Sequence, residues 1–188
     1  LFPYTTLFRS DKELLEHAAN ESGICKELFE NHDERPTNSF LYSLVMDTYS
    51  FGYSSSGFTD MPMNHKVFLA QFDAIKKLAS EGPCVMVGRC ADYALSEYKD
   101  CFSVFVHADT DWRINRLSQK HNKTAKEAKD MINKTDKSRS SYYNYYTNKK
   151  WGAASSYNLC VDSSKLGIDG AAKAIIQAIE IFDSIKNK

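Results

Sequence analysis

At 188 residues the chain is long enough to bury a core without disulfide or metal staples, and its 24 Lys+Arg cancel its 24 Asp+Glu, which excludes a whole-molecule polyanion binder. Hydrophobic residues at 43% and charged residues at 26% are ordinary globular values, and no apolar run approaches the roughly 20 residues of a membrane-spanning helix. The five cysteines, Cys25, Cys84, Cys90, Cys101 and Cys160, form no CxxC pair, so free thiols in a reducing, cytoplasmic setting are expected, with no disulfide framework and no zinc site.

Residues 1–10, LFPYTTLFRS, lack an initiator Met, a basic stretch ahead of an apolar one and a small-residue cleavage site, so they do not read as a signal peptide. The string resembles the in-frame translation of a short-read sequencing adapter. The expectation is a non-native segment 1–10, a native chain that starts at Asp11 and an upstream piece that is missing. From Asp11 to Glu34, Leu14, Leu15, Ala18, Ala19, Ile24, Leu28 and Phe29 have helical spacing broken at Ser22-Gly23, which predicts two short helices on an acidic stretch. A turn at Arg35-Pro36-Thr37-Asn38 precedes a helix over Phe40 to Tyr49, and the Ser- and Gly-rich residues Gly52 to Pro62 predict a loop. His65 to Ser80 repeats apolar residues as an amphipathic helix that Glu81-Gly82-Pro83 ends.

Beyond residue 83 the pattern changes. Cys84 to Gly88, Cys101 to His107 and Tyr157 to Asp162 are short apolar runs rich in Val and aromatics, which predict strands buried on both faces. They alternate with predicted helices at Ala91 to Glu97, Asp111 to Lys120, Thr124 to about Asn148 and Ile168 to Ile185, and Thr124-Ala-Lys-Glu127 has the form of a capping box. Such alternation means βαβ units and a parallel sheet with helices on both faces. Ligands of these sheets gather at the carboxyl ends of the strands, here Gly88-Arg89, His107 to Asp109 and Asp162 to Lys165.

Three features converge on phosphate chemistry. Gly88-Arg89-Cys90-Ala91-Asp92 sets an arginine just past a strand end, where a guanidinium grips a phosphate with two parallel bonds. Arg113 and Arg116 lie three apart, on one side of a helix. The region from Arg113 to Lys150 holds eleven Lys/Arg against Glu127, Asp130 and Asp136, a local excess of positive charge that the neutral total hides. It includes Lys134, Lys137, Arg139 and then Tyr142, Tyr143, Tyr145 and Tyr146. A cationic helix suits a transferring phosphoryl group, which must be neutralised and shielded from water. Bases stacked on the tyrosines, in a noncatalytic nucleotide- or RNA-binding protein, are the rival reading.

CVMVGRCADYAL, FVHADTDWRINRL, KTDKSRSSYYNYYTNKKWG and YNLCVDSSKLG, in that order, resemble the cytidylate-kinase-like proteins, a branch of the P-loop nucleoside monophosphate kinases. The resemblance covers nearly all of the chain from Asp11 to the C-terminal helix. It implies a single α/β domain over 11–188, with a three-layer P-loop NTPase-like parallel sheet, a helical NMP-binding region at about 31–80 and a basic helical lid at about 113–150. ATP with Mg2+ would donate its γ-phosphoryl group to CMP, dCMP or a related nucleotide. The partner is then a small nucleotide, with neither membrane nor nucleic acid expected. The resemblance assigns Arg35, Arg89, Asp92, Asp136 and Arg139 to the substrate, and Arg113, Arg116, Lys134, Lys137 and Ser164 to ATP and the lid. Two departures stand out. Cys90 follows Gly88-Arg89 where the family has Asp, and the Arg expected four residues before Asp136 falls on Ile132, leaving Lys134 or Lys137 as substitute charges. No general base is assigned.

No GxxxxGK[ST] string occurs; the nearest, Gly52 to Thr59, has Phe58 where Lys belongs. The expectation is a chain without its first strand and phosphate loop, with Mg2+ held by nucleotide phosphates and the absent loop, and phosphoryl transfer that is weak or nil.

Overall fold

The computed structural model describes residues 9–10, 22 and 63–186. The predicted features at 11–21 and 23–62, Arg35 among them, lie outside the described residues. The chain divides into two compact units, Leu1–Tyr98 and Lys99–Lys188.

In the first unit the element order is β1 (Arg9–Ser10), α1 (Met63–Glu81), β2 (Val85–Met86) and α2 (Ala91–Ala94). Helix α1 overlies the predicted span. Val67, Phe68, Ala74, Ile75 and Leu78 recur at helical spacing and are buried, and with Leu69, Ala94 and Leu95 they form much of the described core of this unit. Gly82, at φ 151°, and Pro83 end the helix. Phe72 meets the Tyr93 ring at 6.2 Å between centroids, which ties α1 to α2. Strand β2 pairs in parallel with β1, Arg9 beside Val85 and Ser10 beside Met86. The last two residues of the segment expected to be foreign therefore stand in a ladder.

Strand β2 departs from the expectation of burial on both faces. Val85 and Val87 are 53% and 58% exposed, while Met86 between them is partly covered. This is the alternation of a strand covered on one side. An unbroken apolar run suits either case, because Val and Met carry no polar residue to mark the outer face.

The second unit runs β3 (Val104–His107), α3 (Thr110–His121), α4 (Ala125–Thr147), a 3-10 turn at Ala154–Ser156, β4 (Leu159–Asp162) and α5 (Ser163–Lys186). Strands β3 and β4 pair in parallel from Val104 beside Leu159 to His107 beside Asp162, so each strand lies inside its predicted run, but β3, whose Val106 is 52% exposed, is like β2 not buried on both faces. The chain is thus a mixed α/β protein with parallel strand pairing. On one face, the Phe105 ring meets Trp151 edge-on at 5.3 Å and Tyr157 at 5.0 Å, contacts of about 0.5–1.5 kcal/mol each beyond their burial. Gly152 sits at φ 74°, and a Cβ there would come within 3.2 Å of the Phe105 ring. Only glycine meets both demands. Elsewhere, the Phe102 and Phe182 rings pack at 5.2 Å, joining α5 to the strand region.

Helix α4 opens with the expected capping box. The Thr124 Oγ1 accepts from the Glu127 N–H, and the Glu127 carboxylate accepts from the Thr124 N–H at 2.8 Å. Helix α5 is broken at Gly167, φ 68° and ψ 172°, so its long apolar segment begins at Ile168 as the sequence predicts.

Candidate functional site

At the end of β2 the backbone turns through three consecutive left-handed residues, Gly88 (φ 73°), Arg89 (φ 52°) and Cys90 (φ 56°). Two of these are not glycine, at a cost of about 1–2 kcal/mol each. The turn is closed by Ala91 N–H donating to the Gly88 carbonyl at 3.0 Å and Ala94 N–H to the Cys90 carbonyl at 3.0 Å. Arg89 is only 6% exposed, and its Nη1 donates to the Val87 carbonyl at 3.2 Å. Arg89 is therefore packed in, its head folded back over its own strand end. Asp92 is half-buried in the first turn of α2, and Cys90, where the family pattern has Asp, caps α2 without a side-chain bond.

In the second unit, the carboxyl ends of β3 and β4 bring His107 and Asp162 side by side. The Ser163 hydroxyl donates to the His107 carbonyl at 3.0 Å. Ser164 is central: its hydroxyl and N–H both donate to the Asp162 carboxylate, at 2.5 and 2.9 Å, and its Oγ accepts from the Asp109 N–H at 3.2 Å. The Ser164 hydroxyl holds the Asp162 carboxyl below its ordinary range. Lys165 reaches across to Asp109 at 2.7 Å, and that carboxylate raises the lysine. Of this cluster the sequence assigned only Ser164. Asp109, Asp162 and Lys165 join it because two parallel strands in register end at one level, a rule that pointed to these strand ends without saying which side chains would pair.

Helices α3 and α4 form the basic hairpin. Arg113 donates from both Nη atoms to the two oxygens of Asp136, each at 2.7 Å, a bidentate pair with side chains 31% and 28% exposed. Asp136 raises the Arg113 guanidinium further above its usual range. Arg116, one turn along α3, lays its guanidinium over Trp112 at 5.4 Å. Lys134, Lys137 and Arg139 are exposed along α4. Ile132, in the position where an arginine was expected, is buried. So are Tyr142, Tyr143 and Tyr146. Those three tyrosines face the core, Tyr145 is half-buried and the cations face solvent, so little of the tyrosine surface is open to bases stacking on it.

The structure thus joins Arg113 to Asp136, sets Ser164 among the strand-end charges, and describes Arg89 and Asp92 within the other unit. Among the described residues no group of three or more His, Cys, Asp or Glu could hold a metal ion, and no helix is long and apolar enough to cross a membrane.

Residues 7–165 match a family model described as the cytidylate kinase-like family. A solved structure, the crystal structure of an uncharacterized protein from Eubacterium ventriosum, is 34% identical to this chain, covers 62% of it and 74% of its own length, and superposes with a TM-score of 0.60. No curated protein matches the chain.

Proposed function

The chain belongs to the cytidylate kinase-like family, and from that premise we propose that it is a nucleoside monophosphate kinase-type phosphotransferase with CMP, dCMP or a related nucleotide as acceptor and ATP as donor. The family match across residues 7–165 carries the reading. The exposed cationic side of the α3–α4 hairpin supports it, since Arg113, Arg116, Lys134, Lys137 and Arg139 offer charge to a polyphosphate. In this reading the hairpin is the lid, Arg35, Arg89, Asp92 and Arg139 serve the acceptor, and the parallel pairs belong to a three-layer P-loop-type sheet.

Among the described residues, the cations of the hairpin suit the phosphate groups of ATP, and no cluster of carboxylates fits a protein-held Mg2+. Asp109 and Asp162 are engaged by Lys165 and Ser164, so magnesium would arrive on the nucleotide phosphates. The 188 residues contain no GxxxxGK[ST] string, the loop whose backbone N–H groups cradle such phosphates. The chain as it stands is therefore expected to bind acceptor nucleotide and to transfer phosphate weakly or not at all.

Titration of the chain with CMP and with single-stranded RNA at two salt concentrations tests the reading, together with an assay of phosphoryl transfer from ATP to CMP, dCMP and UMP. Saturable CMP binding with a shallow salt dependence is expected; RNA binding should be weak and fall steeply with salt. Tight RNA binding with no response to any nucleoside monophosphate would reject it.

A further inference from the structure

We propose that Asp136 acts as a positioning residue, holding the Arg113 guanidinium at a fixed place on the α3–α4 hairpin so that its remaining donors bind a phosphate group. The proposal rests on the nucleotide-binding reading and changes the part played by Asp136 in it, from direct contact with the substrate to action through an arginine.

Two of the five guanidinium N–H donors are used, one on each Nη, both on Asp136. Among the described residues Arg113 has no other hydrogen-bond partner, so three donors remain. They fan out from a head whose plane and direction the bidentate bond fixes. Arg113 and Asp136 are both about two-thirds covered, so the pair is reachable and yet screened less than one in open water. Arg116, one turn further along the same helix side, has its guanidinium anchored on Trp112. Two arginine heads on one helix are thus held by unrelated means, Arg113 firmly by a carboxylate and Arg116 more weakly on an indole face. Flexible surface arginines surrender several rotamers on gripping an anion; these have surrendered them already.

The sign of a substitution effect separates this role from simple neutralisation. A carboxylate beside an anion site repels the anion, so by charge alone Asp136→Asn tightens anion binding. If Asp136 positions Arg113, the same change weakens it, because the guanidinium loses its fixed direction. Arg113→Lys keeps the positive charge and loses the fork that matches a carboxylate, so it weakens binding as well.

The experiment is calorimetric titration of the full chain and its variants with inorganic tripolyphosphate at fixed ionic strength, with folding checked by circular dichroism. Asp136→Asn and Arg113→Lys are each expected to weaken binding about tenfold, the scale of charge-assisted bonds lost, and the double variant to be no weaker than the worse single. Unchanged or tighter binding by a folded Asp136→Asn, wild-type affinity in Arg113→Lys, or additive losses in the double variant overturn the proposal. Should Asp136→Asn not fold, Asp136→Ala removes the same carboxylate and is read by the same sign: weaker binding supports the proposal, unchanged or tighter binding overturns it. A wild-type chain that binds neither tripolyphosphate nor CMP overturns the nucleotide reading and the proposal together, whereas wild-type binding that Asp136→Asn leaves intact overturns the proposal only.

Discussion

The turn at Gly88–Cys90 and the α3–α4 hairpin each hold an arginine in place, and they do so by opposite means. At the turn the backbone carries the constraint: three successive left-handed residues and an arginine that is almost wholly buried. In the hairpin the backbone is regular helix, and a side-chain pair fixes Arg113 while Arg139 and the lysines stay in solvent. Strain of this kind persists only where the surroundings over-determine it, so substitutions at the turn should disturb stability and binding together. The hairpin should let the two be separated, because its tyrosines carry the packing and its cations carry the charge.

The largest effect tests that separation from the packing side. Tyr146 is 1% exposed, with the Tyr142 ring 4.7 Å and the Tyr145 ring 5.0 Å from its own. Tyr146→Ala should cost about 3–5 kcal/mol of stability, the range for deleting a buried aromatic side chain, read by chemical denaturation. A loss below about 1 kcal/mol would place the tyrosine face outside the core and reopen base stacking. From the charge side, Arg139→Ala should cost at least about 2 kcal/mol in CMP binding and, as an exposed substitution, stay within about 0.5 kcal/mol in stability. Arg89→Ala should cost a similar amount in binding and, unlike Arg139→Ala, destabilise the protein measurably. Equal stability in the two variants would erase the contrast between the regions.

Much of this contrast was invisible in the sequence, for a physical reason. Helical and strand periods are local, so α1 emerges over Met63–Glu81 from a pattern at His65 to Ser80, and β3 and β4 fall inside their apolar runs. The capping box is local too, and Thr124 and Glu127 pair as their spacing requires. Burial of Arg89 is set by tertiary packing, which no local pattern encodes, and the left-handed Arg89 and Cys90 have no glycine to announce them. The Arg113–Asp136 pair spans 23 residues. Its signal was available only in combination: two helices joined at Asn122 and Lys123 fold back on each other, which brings the second turn of α3 within reach of the middle of α4. The buried side of α4 was legible in the same limited sense, since Ile132, Tyr142, Tyr143 and Tyr146 share helical spacing with Ala128, although Lys134, Lys137 and Arg139 between them interrupt the apolar pattern.

A smaller effect probes the turn's backbone by itself. Gly88→Ala places a Cβ at φ 73°, which should cost about 1–2 kcal/mol without touching the Arg89 side chain. If CMP binding falls along with stability, the turn's geometry presents the arginine; if stability alone falls, Arg89 is positioned by its burial.

The smallest effect lies at the opposite extreme, at the relaxed start of α4. Thr124→Ala removes the acceptor for the Glu127 N–H and the hydroxyl that donates to the Glu127 carboxylate at 2.7 Å, and should cost about 1 kcal/mol, as other caps do. It carries a pH signature. Hydrogen bonds from Thr124 hold the Glu127 carboxyl below its ordinary 4.5, so the folded state binds this proton less readily than the unfolded chain. The resulting stabilisation is present above pH 4.5 and is lost as pH falls through the lower folded value. Thermal unfolding followed by circular dichroism between pH 3 and 6 should show this slope in the wild type and a flatter one in Thr124→Ala, whose Glu127 has lost the largest cause of its shift. Parallel slopes would mean that the capping box does not set the acid sensitivity, and would remove Glu127 as its cause.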